Sequence, residues 1–382
     1  MEKTEFKVPI EGTHRRLKSL QQEIIDVTEE VIDSGKYLSS TRVAKLEKLL
    51  ETAWGRNVVA TNSGSSALQL ALLAAGIRAG DEVIVPALTF VSTAYAVSAI
   101  GAIPVFVDID PYTFTIDPGA VSAAITDKTT AIIPVHLYGQ MADMQPLMDL
   151  ASKYELKVIE DVAQAHGAKY GSQFAGAIGD FGCFSMYVGK NMGGLEDGGV
   201  ILVKNPNLIP KLYRLRDLGR NPGNRYFHSE FGFRARMGEL TAAVINLEFQ
   251  LLESWNYRRQ QIAEKYNQAF SDLDLQIPLQ APNRTHVYYK YTIVTNSPNQ
   301  RIKLQESLTS KGIQTERIYP RLVPEQPVYL NSLDCRTKNL NISKNVVERL
   351  LCLPIYPEMK DSEVDAVIEA MDYSSNKVLA TV

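Results

Sequence analysis

Cysteine is scarce. Cys183, Cys335 and Cys352 are the only three in 382 residues, an odd number with no CxxC pair. That argues against a disulfide framework or a zinc site and fits a reducing cytoplasm. The five histidines show no HExxH or other ligand spacing, so packing or solvent is the ordinary expectation for each, and no metal is expected. No apolar run approaches the roughly 18–20 residues that span a bilayer. The opening Met1-Glu2-Lys3-Thr4-Glu5-Phe6 lacks a basic region followed by an apolar one, so no secretory signal is expected. Neither sign of charge dominates: 40 Lys and Arg against 43 Asp and Glu leave a formal net charge of −3. Nothing there calls for nucleic acid or an anionic membrane. The nucleotide fingerprints GxGxxG and GxxxxGK[ST] are also missing.

What is present is alternation. Val83-Ile84-Val85, Pro104 to Val107, Ala131 to Val135 and Val158-Ile159-Glu160 read as buried strands. Between them lie helical patterns: Ala67 to Ala74, Ala94 to Ile100 and Met144 to Tyr154. Such β-α-β order predicts an α/β fold with a mostly parallel sheet between helices, and ligands beyond the C-terminal ends of its strands. A long helix is expected from about Met237 to Phe270. After it the pattern changes: Tyr288 to Thr295 alternates like a strand, and Ile302 to Lys311 and Ser362 to Met371 read as helices. Residues 1–250 are therefore read as a large α/β domain, with the first fifty or so packing across both domains. Residues 251–382 are read as a smaller α+β domain, and the last residues from Ser374 as a frayed tail.

Three stretches could carry chemistry. Asn62-Ser63-Gly64-Ser65-Ser66-Ala67-Leu68 sets small residues directly before an apolar helix. The first N–H groups of that helix have no partner inside it, which makes an anion site, or else an ordinary N-cap. Asp161 ends an apolar strand, so its carboxylate either faces the ligand crevice or caps a helix at the strand exit. Lys190 sits among Gly189, Val188, Met192 and Tyr187 rather than polar neighbours. A lysine in such surroundings has a lowered pKa, which a Schiff-base amine needs.

In this order the three resemble the DegT/DnrJ/EryC1/StrS family of sugar aminotransferases, within the fold type I enzymes that use pyridoxal 5'-phosphate. The likeness runs over nearly the whole chain. It includes Gly80 to Pro86, Thr89-Phe90, Pro104 to Ile109, His136 to Gly139, Glu160 to Ala168, Arg236 to Glu239 and Leu353 to Pro357. The resemblance implies that Lys190 holds the cofactor as a Schiff base and then shuttles the proton. It implies that Asp161 pairs with the pyridine nitrogen and keeps the ring an electron sink. Gln164 would hydrogen-bond the phenolic oxygen, and Phe90 would stack on the ring. Ser65, Ser66 and Ser185 would hold the phosphate. A cytoplasmic homodimer with shared active sites is implied, with glutamate and a nucleotide-linked keto sugar as substrates.

Two departures stand out. The family usually writes Gly-x-Asn-x-Arg before its long helix, and its Asn reaches the partner subunit's phosphate. Here Gly232-Phe233-Arg234-Ala235-Arg236 puts Arg234 in that place. Arg234 either keeps the phosphate role, as a bidentate donor, or turns elsewhere. The loop Pro320 to Pro327 lacks the family's usual His. Lys190-Asn191-Met192-Gly193 with Asp197-Gly198-Gly199, and Gln164 to Ala168, resemble the version found in enzymes acting on 3-keto sugars. His166 and Tyr319 are the candidates for contacting substrate. A 4-keto sugar or cyclitol aminotransferase and a non-catalytic sensor on the same scaffold are the alternatives.

Overall fold

A computed structural model describes residues 6–221, 223–224 and 226–379, with side chains up to Met371. Its strands are β1 (Asn57–Thr61), β2 (Glu82–Pro86), β3 (Ile103–Val107), β4 (Thr129–Ile132), β5 (Lys157–Asp161), β6 (Lys169–Tyr170), β7 (Gln173–Phe174), β8 (Phe181–Ser185), β9 (Gly199–Val203), β10 (Leu275–Gln276), β11 (Tyr291–Thr295), β12 (Arg336–Thr337) and β13 (Leu350–Leu353). Its α-helices up to the middle of the chain are α1 (Thr13–Ser19), α2 (Gln21–Ser34), α3 (Thr41–Trp54), α4 (Gly64–Ala75), α5 (Ser92–Ser98), α6 (Pro118–Ala124), α7 (Met144–Tyr154) and α8 (Ile209–Leu215). The later ones are α9 (Glu239–Phe249), α10 (Leu252–Phe270), α11 (Pro298–Ser310), α12 (Pro327–Asn331), α13 (Asn341–Val347) and α14 (Asp361–Leu379).

The main sheet has the order β1-β9-β8-β5-β4-β2-β3-β12. Every neighbouring pair from β8 to β12 is parallel, and β9 alone runs against both of its neighbours. Side chains alternate across it, as the pleat requires. Val83, Val85, Phe106 and Ile159 join one apolar cluster with α4 and α5. Ile84, Val105, Val107 and Val158 join another, with α3, α7 and α9. Helices thus cover both faces, and this is why the strands read as continuous apolar runs.

The free edge of the sheet at β1 is closed by side chains. Ala60 donates its N–H to Glu47 Oε1 at 2.9 Å, and its carbonyl accepts from Arg216 at 2.7 Å. An edge occupied in this way offers little for another strand to pair with. A separate antiparallel sheet, β10-β11-β13, packs with α10, α11 and α14 around Tyr266, Phe270, Tyr291 and Leu351.

The single helix expected over 237–270 is two. It breaks at Gln250 and Leu251, whose N–H groups turn back to Leu247 and Glu248 in tighter i→i−3 bonds. No Gly or Pro marks the break. Its cause is tertiary: α9 is buried along Thr241 to Ile245 and packs against α2 and α3, whereas α10 buries only a stripe running from Leu252 through Arg259 and Tyr266 to Phe270. At the C-terminus α14 continues to Leu379 where a frayed tail is expected from Ser374, and residues 380–382 lie outside the described residues. Among the described residues no helix is long and apolar enough to cross a membrane, and no cluster of His, Cys, Asp and Glu could hold a metal.

Candidate active site

β5 delivers Asp161 to the C-terminal end of the parallel strands, where α/β sheets bind ligands. Its backbone is held on both sides: the N–H donates to Pro134 at 2.8 Å, and the carbonyl accepts from His136 at 3.0 Å. The carboxylate is buried. Oδ2 accepts from the Thr93 hydroxyl at 2.8 Å and Oδ1 from the Ala163 N–H at 3.1 Å. Burial pushes its pKa up, while those two donors and Lys190 pull it down. The neighbouring Glu160 faces away and is structural. It accepts from Gly176, Ile178 and Gly179 N–H groups and from His136 Nε2. His136 Nδ1 accepts from Ala142, which fixes the Nε2–H tautomer.

Lys190 stands in the loop between β8 and β9, half-buried. Its Nζ lies 4.8 Å from the centre of the Tyr289 ring. Loss of water brings the amine down to about 8, against the Asp161 charge, which raises it. Opposite, α4 begins with Ser63 as its N-cap, whose Oγ accepts from the Ser66 N–H at 3.1 Å. The helix start is pressed onto Ser185. A Cβ on Gly64 would stand 2.7 Å from Ser185 Cβ, so only glycine fits there. The Ser65 hydroxyl donates to Ser92 at 2.9 Å.

Gln164 has a fixed amide orientation. Its Oε1 accepts from the Tyr138 N–H at 2.7 Å, so Nε2 turns outward and donates to the Tyr319 hydroxyl at 2.8 Å. Phe90 is half exposed at the mouth, its ring 5.8 Å from that of Tyr319.

A cavity of about 730 Å³ brings together Ser65, Phe90, Asp161, Gln164, Ser185 and Lys190, with Tyr319 in its wall. That volume lies in the usual range for cofactor sites. The residues also fit the phosphorylated pyridine cofactor. A helix N-terminus with two hydroxyls suits a phosphate, a buried carboxylate suits a ring N–H, and a lysine of lowered pKa suits a carbonyl carbon.

Three residues read from the sequence do not line this cavity. Ser66 is turned into the cap of α4, its hydroxyl accepting from Ser63 Oγ at 3.1 Å. His166 is fully buried behind the wall. Its Nε2–H donates to the Ser185 carbonyl at 2.8 Å, its ring meets Phe184 edge-on, and burial lowers its pKa to about 3, so it stays neutral. Arg234 lies outside the cavity of its own chain, its backbone bridged to Asp217. Sequence reasoning missed Thr93, Tyr138 and Tyr289. For Thr93 a faint signal existed: Thr89 and Thr93 lie four apart around Phe90, and their hydroxyls meet at 3.0 Å.

The sequence profile of the DegT/DnrJ/EryC1/StrS aminotransferase family matches residues 18–372. A pleiotropic regulatory protein of Geobacillus stearothermophilus is 38% identical over 368 residues, covering 95% of this chain and 97% of its own. The UDP-N-acetyl-3-dehydro-alpha-D-glucosamine 3-aminotransferase of Acidithiobacillus ferrooxidans is 36% identical, covering 94% and 95%. The dTDP-3-amino-3,4,6-trideoxy-alpha-D-glucose transaminase of Streptomyces venezuelae is 36% identical, covering 96% and 95%. Among solved structures, S. venezuelae DesV in complex with a ketimine intermediate has a TM-score of 0.91 at 36% identity, covering 96% of this chain and 98% of its own. NtdA from Bacillus subtilis with bound cofactor PMP has a TM-score of 0.90 at 31% identity, covering 98% and 86%. This chain, an α/β enzyme of the fold type I class that uses pyridoxal phosphate, belongs to the DegT/DnrJ/EryC1/StrS aminotransferase family.

Proposed function

We propose that the enzyme moves an amino group from glutamate to the C3 keto group of a nucleotide-linked deoxysugar. The observation that carries the catalytic part is the convergence of the Lys190 amine, the Asp161 carboxylate and the Gln164 amide on one cavity. Two sequence features support position 3: Lys190-Asn191-Met192-Gly193 with Asp197-Gly198-Gly199, and Gln164 to Ala168. Two of the three relatives named above carry position 3 in their names.

When bound, the cofactor supplies an electron sink that lets a proton leave the carbon bearing nitrogen. The chain supplies the rest. Lys190 Nζ would act as the base that takes that proton and the acid that gives it back. Asp161 holds a proton on the pyridine nitrogen. Gln164 Nε2 donates to the phenolic oxygen, and Phe90 covers one face of the ring and excludes water. The first turn of α4, with Ser65 and Ser185, holds the phosphate, and Tyr319 is the residue of the wall that meets substrate.

The lowered pKa of Lys190 sets a pH profile. Below about 8 the amine is protonated and cannot bond a carbonyl; above it the free fraction saturates. Capture of added pyridoxal phosphate by the emptied enzyme should therefore rise with a midpoint near 8. A midpoint near the ordinary lysine value of 10.5 would count against this reading.

A homodimer with shared sites is part of the proposal. Its support is a loop that exposes Phe227, Phe231 and Tyr226, with Phe231 78% accessible, just ahead of Arg234. In that arrangement Arg234 reaches the partner's phosphate. Arg234→Ala should weaken pyridoxal phosphate binding by about 1.5–3 kcal/mol, the worth of a charge-assisted hydrogen bond. Unchanged affinity would remove Arg234 from that role. The division of the chain near residue 250 is likewise proposed, supported by the separate cluster around Tyr266 and Tyr291. So is a cytoplasmic setting, supported by the three free cysteines.

The deciding experiment is direct. The purified protein should absorb in the visible and bleach with glutamate. It should then pass the amino group to NDP-3-keto sugars faster than to NDP-4-keto sugars. A preference for the 4-keto set would overturn the C3 assignment. Failure to bleach with any amino donor would favour a non-catalytic sensor or regulatory protein; the 38% identical relative is named as a regulatory protein.

A further inference from the structure

The loop that carries Lys190 is gripped from a distance. Arg16, on α1, is 174 residues away in sequence, yet its guanidinium Nη1 donates to the Lys190 carbonyl at 2.7 Å. Nη2 of the same group donates to the Val188 carbonyl. Its Nε faces Glu248 Oε1 on α9 at 3.2 Å. The other Glu248 oxygen accepts from the Gly193 N–H at 2.8 Å, three residues beyond the lysine. Arg16 is 5% exposed and Glu248 fully buried, so water cannot replace either. Gly193 must be glycine for this turn, because a Cβ there would lie 2.3 Å from the Tyr187 carbonyl oxygen. Nothing in the reaction itself calls for this second cation, whose guanidinium binds backbone and a carboxylate and stands 5.5 Å from the centre of the Trp255 ring.

We propose that Arg16, backed by Glu248, is a positioning residue that fixes the peptide from which the Lys190 side chain springs. The inference rests on Lys190 being the residue that bonds the cofactor. Carbonyls at i and i+2 normally diverge. One rigid guanidinium fork that binds both of them defines the turn. The Lys190 side chain has four rotatable bonds, so its reach is set by where its root is held. A reacting atom displaced by about 1 Å can cost on the order of 100-fold in rate. The contribution is geometric: the causes that set the Lys190 pKa are its burial and the Asp161 charge, and Arg16 is not among them. Adjacent Arg15 holds Glu363 on α14 at 2.7 and 2.8 Å, so α1 ties the lysine loop to the C-terminal helix.

The test compares full-length wild type, Arg16→Gln, Arg16→Lys and Lys190→Ala after removal of cofactor. Three quantities are read: the rate of borohydride-stable attachment of pyridoxal phosphate, the affinity for pyridoxamine phosphate, and Tm. Pyridoxamine phosphate needs no bond to Lys190, so it reports the rest of the site alone. Arg16→Gln should slow attachment by about tenfold to a hundredfold, with its pH midpoint unmoved and pyridoxamine phosphate affinity within about twofold. Arg16→Lys, which reaches one carbonyl, should recover part of the rate, and it carries the test if Arg16→Gln does not fold. Attachment at the wild-type rate, or an equal loss in pyridoxamine phosphate affinity, would overturn the proposal. Attachment surviving in Lys190→Ala would instead strike the assignment of Lys190 itself.

Discussion

Lys190→Ala should lower turnover by at least ~10²–10⁴-fold, the range set by losing the proton-transferring group alone. It should also abolish borohydride-stable attachment of the cofactor. Both effects come from one atom. Nζ is the amine in the cavity wall, with its pKa brought to about 8 by burial. A second amine is close enough to demand a control. Lys290 Nζ lies 5.4 Å from the centre of the same Tyr289 ring, but it pairs with Glu316 at 3.7 Å and is not in the wall of the main cavity. Peptide mapping of the reduced wild-type enzyme should find the cofactor on Lys190 and not on Lys290. Lys190→Arg should be as inactive as Lys190→Ala, because a guanidinium stays protonated at any working pH and cannot bond a carbonyl carbon. The proposed phosphate end of the site, the start of α4 with Ser65 and Ser185, does not include Lys190, so both variants should still bind pyridoxamine phosphate. Turnover kept in either variant would end the assignment.

Some of this site could be read from residue order and some could not, for physical reasons. Asp161 was legible because an apolar run ends at it, and strand ends face crevices. The α4 start was legible because small residues precede an apolar run, and Ser63 does cap the helix. Lys190 gained meaning only from those companions. Thr93 and Arg16 carry no such pattern. Thr93 looks like an ordinary first-turn threonine, and Arg16 like a basic residue on a short polar helix. Their partners, Asp161 and the Lys190 carbonyl, are 68 and 174 residues away. Contacts at such separations are fixed by tertiary packing and leave no periodic trace. The same holds for the break between α9 and α10, and for β12, whose two exposed residues add an edge to the sheet. His166 shows the opposite error. It stands in a family-like motif, but the backbone turn at Gly167, with φ of 80°, carries it behind the wall, where its carbonyl accepts from Asn256 at 2.8 Å.

Asp161→Asn should cost ~10²–10⁴-fold in kcat, from the roughly 3–5 kcal/mol at stake when one member of a buried charge pair is lost. The substitution is unusually clean. The new side-chain oxygen would still accept from the Ala163 N–H, and the new amide would donate to Thr93 Oγ1. Thr93 could then turn its own proton to Thr89 Oγ1, already 3.0 Å away. The Thr89 proton, displaced from Thr93, would then turn into the cavity that Thr89 lines, so the charge is the main change and one donor is redirected. Stability should respond with opposite sign in the two states. With the site empty, burial raises the Asp161 pKa above its unfolded value. A carboxyl raised in this way weakens the fold as pH climbs through its unfolded and then its folded pKa. Removing the charge should therefore leave Tm of the cofactor-free enzyme equal or higher at neutral pH. With the cofactor bound, the pyridinium supplies the missing positive partner, and the variant should lose part of the Tm gain that cofactor gives the wild type. A variant with wild-type kcat would show that this carboxylate does not hold the ring proton. A cofactor-free variant with sharply lower Tm would show that Asp161 serves the fold rather than the cofactor.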